Sequence, residues 1–175
     1  GDPRQGAVLG PLVSPAVGER MEGLVRDAMA RGARLLAGGP PRGVFMDATV
    51  LDGVAPGMAL YDEECFGPVA SICRARTENE AIGIANDTSY GLTAAIFSRD
   101  SARALALARH IDSGMCHING PTLNDDPHLP FGGVSDSGHG RFGGPAMLDE
   151  FTELRWIGIS TGPRRHPFLD EGPSP

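Results

Sequence analysis

The chain has 175 residues, a formal net charge of −7, 41% apolar and 21% charged residues, proportions ordinary for a globular domain with one real core. The acidic balance and scattered cations argue against a nucleic-acid surface, which needs clustered positive charge. No apolar run approaches the ~18 residues of a membrane span.

In chain order, Ser14-Pro15 followed by Val17, Met21, Leu24, Val25, Ala28 and Met29 predicts an amphipathic helix. Ser14 is the expected cap, Pro15 suits the first turn and Gly32 the end. "ARLLAG" (33–38), the alternating "VFMDATVLDGV" (44–54) and "PVASICRAR" (68–76) read as strands, with a turn at Pro56-Gly57. "TENEAIGIANDT" opens on a Thr77–Glu80 capping box and predicts a helix. "GLTAAIFSRD" reads as a buried strand, "SARALALARHID" as a serine-capped helix and "GMCHIN" as the next strand. An irregular segment follows over 120–140, then a short helix near 145–151 and a last strand, "TELRWIGIS". The remainder, from Thr161 onward and including Arg164-Arg165, reads as a flexible tail. Alternating strands and helices define an α/β domain. A loop of about twenty residues in such a domain is more often functional than accidental.

All fifteen basic residues are arginine, so no lysine is available as a Schiff base or amine nucleophile. Cys65, Cys73 and Cys116 are odd in number and lack CxxC spacing; reduced thiols in a cytoplasm fit better than a disulfide framework or structural zinc. No secretory n-region and apolar h-region open the chain. Its first residue is glycine rather than methionine, so further residues are expected upstream.

Candidate chemistry is sparse. Gly138-His139-Gly140-Arg141-Phe142-Gly143 is formally GxGxxG, but no strand precedes it and Gly158 stands where a ribose-binding acid is wanted. A glycine-rich turn is the better reading. His110, His117, His128 and His139 have no metal-ligand spacing, and adjacent Cys116 and His117 face opposite ways on a strand. Metal ligands are therefore not expected. Asp125 and Asp126 read as solvated loop charge. Cys65 follows Asp62, Glu63 and Glu64, the wrong surroundings for a nucleophilic thiolate; packing as a small hydrophobe suits it better.

Four ordered stretches carry a resemblance. "DEECFGPV", "SYGLTAAIFSRD", "SGMCHING" and "PFGGVSDSGHGRFGG" resemble, in order and approximate spacing, the signatures of the aldehyde dehydrogenase superfamily. The likeness runs from Gly1 to about Ser160, and "CHINGPT" with "GRFGG…FTELRWI" resembles its aromatic-aldehyde branch of vanillin, benzaldehyde and salicylaldehyde dehydrogenases. The resemblance implies NAD- or NADP-dependent oxidation of an aldehyde to a carboxylic acid through a cysteine thioester. It implies that residues 1–151 are the later half of a catalytic domain and 152–160 an oligomerisation strand, with 161–175 a tail. The Rossmann-like domain, the nucleophilic cysteine and the base glutamate would lie upstream, leaving no catalytic residue here and Cys65 in a variable slot. By motif position Glu64 accepts from the nicotinamide-side ribose, and Phe66 packs near the nicotinamide. Phe131 corresponds to an aromatic of the substrate tunnel, or else anchors its loop. Asn119 ends its strand and equally suits a turn.

These expectations leave two readings: a dehydrogenase of which this is a part, inactive alone, or a non-catalytic homologue that assembles with complete subunits through its last strand. A thiol hydrolase using Cys65 or Cys116 lacks the means to activate its thiol.

Overall fold

The computed structural model describes residues 1–162. Helix α1 (Pro15–Ala30) precedes strands β1 (Arg34–Ala37) and β2 (Thr49–Asp52), a one-turn helix α2 (Ala59–Asp62) and strand β3 (Val69–Ile72). Helix α3 (Glu78–Asn86), strand β4 (Thr93–Ile96), helix α4 (Ser101–Ala108), strand β5 (Met115–Ile118) and helix α5 (Ala146–Phe151) follow. The α/β class is as expected, with two sheets. In one, β2 pairs antiparallel with β1 and parallel with β3; in the other, β4 and β5 run parallel.

The core lies where α1 covers the first sheet. Met21, Leu24 and Ala28 recur on one helical face and bury themselves with Leu51 of β2 and with Met46, Val54, Met58 and Leu60. A β-bulge between Leu35 and Ala37 shifts the register of β1 on β2. Beyond it, Gly38 has φ +87°, and a Cβ there would strike the Thr49 hydroxyl, so the close crossing requires glycine.

Several expectations change. Ser14 is extended and makes no side-chain cap. Asp100, not Ser101, caps α4, its Oδ1 accepting from the Arg103 N–H at 2.9 Å. Thr77 does cap α3, accepting from the Glu80 N–H at 3.1 Å, but the Glu80 carboxylate reaches back to Arg76 N rather than to Thr77 N. Strand β4 is only half-buried; among the described residues β5 is its one neighbour in the sheet. Residues 152–160 form no strand within the described chain and are exposed throughout. The predicted tail falls largely outside the described residues, Arg164-Arg165 included. No described helix is long and apolar enough to cross a membrane.

Candidate functional site

The acidic loop after α2 is held from below by α1. Asp27 Oδ2 accepts the Ala59 N–H at 2.9 Å, capping the start of α2 from another helix, while Oδ1 accepts from Arg31 at 2.8 Å. Arg31 first, then the Ala59 N–H, holds the Asp27 carboxyl below its usual range. Two turns earlier, Arg20 donates to the carbonyls of Glu64 and Cys65, each at 2.9 Å, and to Glu63 Oε2 at 3.1 Å. Beside it the fully buried Met21 abuts Gly67, where a Cβ would come within 2.6 Å of its sulfur. The loop leaves through Pro68, whose carbonyl accepts the Thr49 N–H at 2.8 Å.

On this platform the predicted residues face outward. Glu64 is exposed, and among the described residues its carboxylate makes no hydrogen bond or ion pair. It lines a hollow at the entrance to β4 with Thr88, Tyr90, Gly91, Asp112 and Ser137. Phe66 is 82% exposed and has φ +51°, a backbone state that is an outlier for a bulky residue and needs its surroundings to impose it. Between them the Cys65 thiol donates weakly to the Gly67 and Val69 carbonyls, each at 3.7 Å. Tyr61 donates its hydroxyl to Asp87 Oδ2 at 2.7 Å, tying α2 to the end of α3. That bond, then burial, pushes the phenol up to about 12, so it stays protonated.

The irregular segment is clipped onto the second sheet. Val134 and Asp136 donate their N–H groups to the carbonyls of Gly91 and Ser89 at 3.0 and 2.9 Å, and Ser137 Oγ accepts from Gly91 N at 2.9 Å. Gly114 lies so close to Gly132 that a Cβ would run into its carbonyl oxygen. Gly138, Gly140 and Gly143 all take left-handed φ values, and Arg141 spans the turn by donating to the Gly133 and Gly140 carbonyls at 2.8 and 2.7 Å. The GxGxxG is a folded turn, and the short helix after it, α5, starts only at Ala146. Asp126 is more than solvated charge: its side chain accepts from His128 N at 2.9 Å.

Phe131 sits at the wall between two hollows. One contains Gly133, Ser137 and Arg141; the other contains Cys116, Asp125 and Asp126. Phe131 and Glu64 line different hollows, and Ser137 borders a hollow of each. Asn119, at φ +57°, pairs both side-chain ends with the Ser98 backbone at 2.8 and 2.9 Å, which makes it a turn residue. Burial pushes the Cys73 and Cys116 thiols up. Among the described residues no three His, Cys, Asp or Glu side chains converge as metal ligands. Among the described residues His117 Nε2 is buried without a partner.

Arg20, Asp27 and Ser137 are the contributors that the sequence did not single out. Arg20 acts on residues more than forty positions away, and its only local mark is its place beside Met21 on α1.

This arrangement of an acidic loop after α2, a clipped glycine-rich loop and parallel β4–β5 belongs to a known class of α/β enzyme domain. Residues 1–157 match the aldehyde dehydrogenase family, and the chain belongs to that family. It is 52% identical over 169 residues to vanillin dehydrogenase of Pseudomonas fluorescens, covering 96% of this chain and 35% of that protein. The solved salicylaldehyde dehydrogenase of Pseudomonas putida G7, complexed with salicylaldehyde, superposes with a TM-score of 0.89 at 46% identity, over 96% of this chain and 35% of that one. An aldehyde dehydrogenase of Mycobacterium tuberculosis complexed with NAD+ gives 0.77 at 36% identity, over 87% and 33%. The chain thus spans about a third of the length of its curated relatives.

Proposed function

We propose that this chain is the later part of the catalytic domain of a cytoplasmic dehydrogenase that oxidises aromatic aldehydes to carboxylic acids with NAD or NADP. The observation that carries the reading is Phe66: a phenyl ring 82% exposed at a left-handed backbone position, beside an unpaired Glu64 carboxylate, on a loop pinned by Arg20. A core aromatic has no reason to stand there, whereas a ring and a carboxylate offered to a nicotinamide riboside do. The residues fit the group: an ionised carboxylate accepts from two ribose hydroxyls, and the ring supplies an apolar wall.

When bound, the dinucleotide supplies an acceptor for the hydride that leaves the aldehyde carbon. Glu64 orients the ribose, Phe66 limits where the nicotinamide ring can lie, and Phe131 presents an aromatic wall to a flat substrate. The thiol that forms the thioester is none of Cys65, Cys73 and Cys116. Burial disfavours the thiolates of Cys73 and Cys116, and the Cys65 thiol is occupied with two carbonyls. The nucleophile and the base that directs water onto the thioester are supplied from outside these 175 residues. Leu154, Trp156 and Ile159, at 107%, 92% and 86% exposure, support pairing of 152–160 with a second copy of the protein.

Production of reduced nicotinamide from benzaldehyde, followed by absorbance, tests the reading. The protein expressed from its complete gene should turn over and the 175-residue chain alone should not. Turnover by the chain alone would place a nucleophile within it and overturn the assignment. Assembly of the 175-residue chain into complete subunits, with no turnover by any of them, would favour a non-catalytic role instead.

A further inference from the structure

The loop that carries Glu64 and Phe66 has little regular structure to define it. Residues 63–68 lie between the end of α2 and the start of β3, and among the described residues no backbone N–H donates to the carbonyls of Glu64 and Cys65. Both point to one guanidinium. Arg20 Nη1 donates to Cys65 O and Nη2 to Glu64 O, each at 2.9 Å, and Nη2 also donates to Glu63 Oε2 at 3.1 Å. The acceptors belong to three consecutive residues immediately before Phe66. The Arg20 side chain is 44% exposed, and it is not one of the buried core residues. Met21 and Asp27 of the same helix fix Gly67 and Ala59, on either side of the clamp.

From this geometry we infer that Arg20 is a positioning residue: it fixes the Glu64–Cys65 backbone, and through it the direction of the Glu64 carboxylate and the left-handed state of Phe66. The inference rests on the proposed nicotinamide role of Glu64 and Phe66. A guanidinium suits the task because two of its nitrogens, held in one plane, address two successive carbonyls while a third bond is made to the carboxylate. A lysine ammonium is a single point and cannot hold both carbonyls in that relation. Arg20 touches neither cofactor nor substrate, and its effect is confined to how they are held.

The test compares Arg20→Ala, Arg20→Lys and Glu64→Gln in the protein expressed from its complete gene. Both Arg20 variants should unfold near the wild-type temperature. Both should lose about ten- to hundredfold in kcat/KM for the dinucleotide, the scale of a misplaced reacting group, with little change in KM for the aldehyde. The isotope effect on kcat with formyl-deuterated benzaldehyde should rise, because hydride transfer becomes slower. Added guanidinium ion should restore much of the Arg20→Ala loss and none of the Glu64→Gln loss. Wild-type kinetics in both Arg20 variants, with Glu64→Gln impaired, would overturn the inference and leave the site reading intact. A loss without rescue and with a lowered unfolding temperature would make Arg20 a merely structural residue and also overturn it. A silent Glu64→Gln would overturn the site reading, and the inference with it.

Discussion

Phe131 and Phe142 face each other across the glycine-rich turn and exchange both backbone hydrogen bonds, Phe131 N–H to Phe142 O and the reverse, each at 2.7 Å. The loop is closed by main chain, and the Phe131 ring, proposed as a substrate wall, is 39% exposed. Phe131→Ala should therefore preserve the turn while removing the wall. We expect kcat/KM for benzaldehyde to fall about tenfold, equivalent to ~1.4 kcal/mol of ring contact, and kcat/KM for acetaldehyde to fall much less. Equal losses on the two aldehydes would reduce Phe131 to a packing role.

Cys65 lies between the two proposed cofactor contacts and is proposed to take no part in the chemistry. Its weak bonds to the Gly67 and Val69 carbonyls at 3.7 Å can be made by a hydroxyl. Cys65→Ser should keep turnover within about two- to threefold, the span of a substitution worth roughly 0.5 kcal/mol. Abolished activity with an intact fold would restore Cys65 as a nucleophile.

The two glycines Gly114 and Gly23 predict opposite outcomes for the same substitution. A Cβ on Gly114 meets the Gly132 main chain, which cannot turn aside as a side chain can; on Gly23, exposed within α1, it meets nothing within 4 Å. Gly114→Ala should destabilise by about 1–3 kcal/mol through overpacking, and Gly23→Ala should stabilise by about 0.5–1 kcal/mol through helix propensity. Urea unfolding of the two variants reads both signs, and a stable Gly114→Ala would mean that the loop is not clamped onto β5.

What was legible in the sequence depended on range. The α1 face, the Thr77 cap and the β4–α4–β5 order follow from local periodicity and capping chemistry. The one-turn helix α2 was missed because its N–H at Ala59 is satisfied by Asp27, thirty-two residues away, with no local capping residue to announce it. Ser14 was over-read, since a cap residue in the right place need not turn its hydroxyl onto the helix. The last stretch, 152–160, carries strand propensity but pairs with no strand within the described chain, and strand propensity yields a strand only when a partner strand is paired. At the site, motif position drew attention to Glu64, Phe66 and Phe131. The Arg20 clamp and the left-handed state of Phe66 are properties of tertiary structure and left no mark in the acidic stretch itself.

Asp52 provides a pH signature of the first sheet. Its side chain, 6% exposed, accepts from Arg74 Nε and Arg34 Nη2, each at 2.7 Å. Arg74 first and then Arg34 outweigh burial and hold its carboxyl well below the usual carboxylate range. A depressed folded-state pKa contributes stability that is full above the unfolded value of about 3.9 and is lost progressively as pH falls from there through the lower folded value. The stability difference between wild type and Asp52→Asn should therefore be full at pH 7 and shrink on acidification below about pH 4. A difference that stays constant from neutral pH to pH 2 would contradict the ion-paired assignment.

The most direct test of the account is the rate of hydride transfer in a single turnover, read as reduced-nicotinamide absorbance, in wild type and Glu64→Gln of the protein expressed from its complete gene. Glutamine keeps the shape but weakens acceptance from the ribose hydroxyls, so the rate should fall about ten- to hundredfold while the protein remains folded. An unchanged rate would remove Glu64 from the cofactor site and contradict the account.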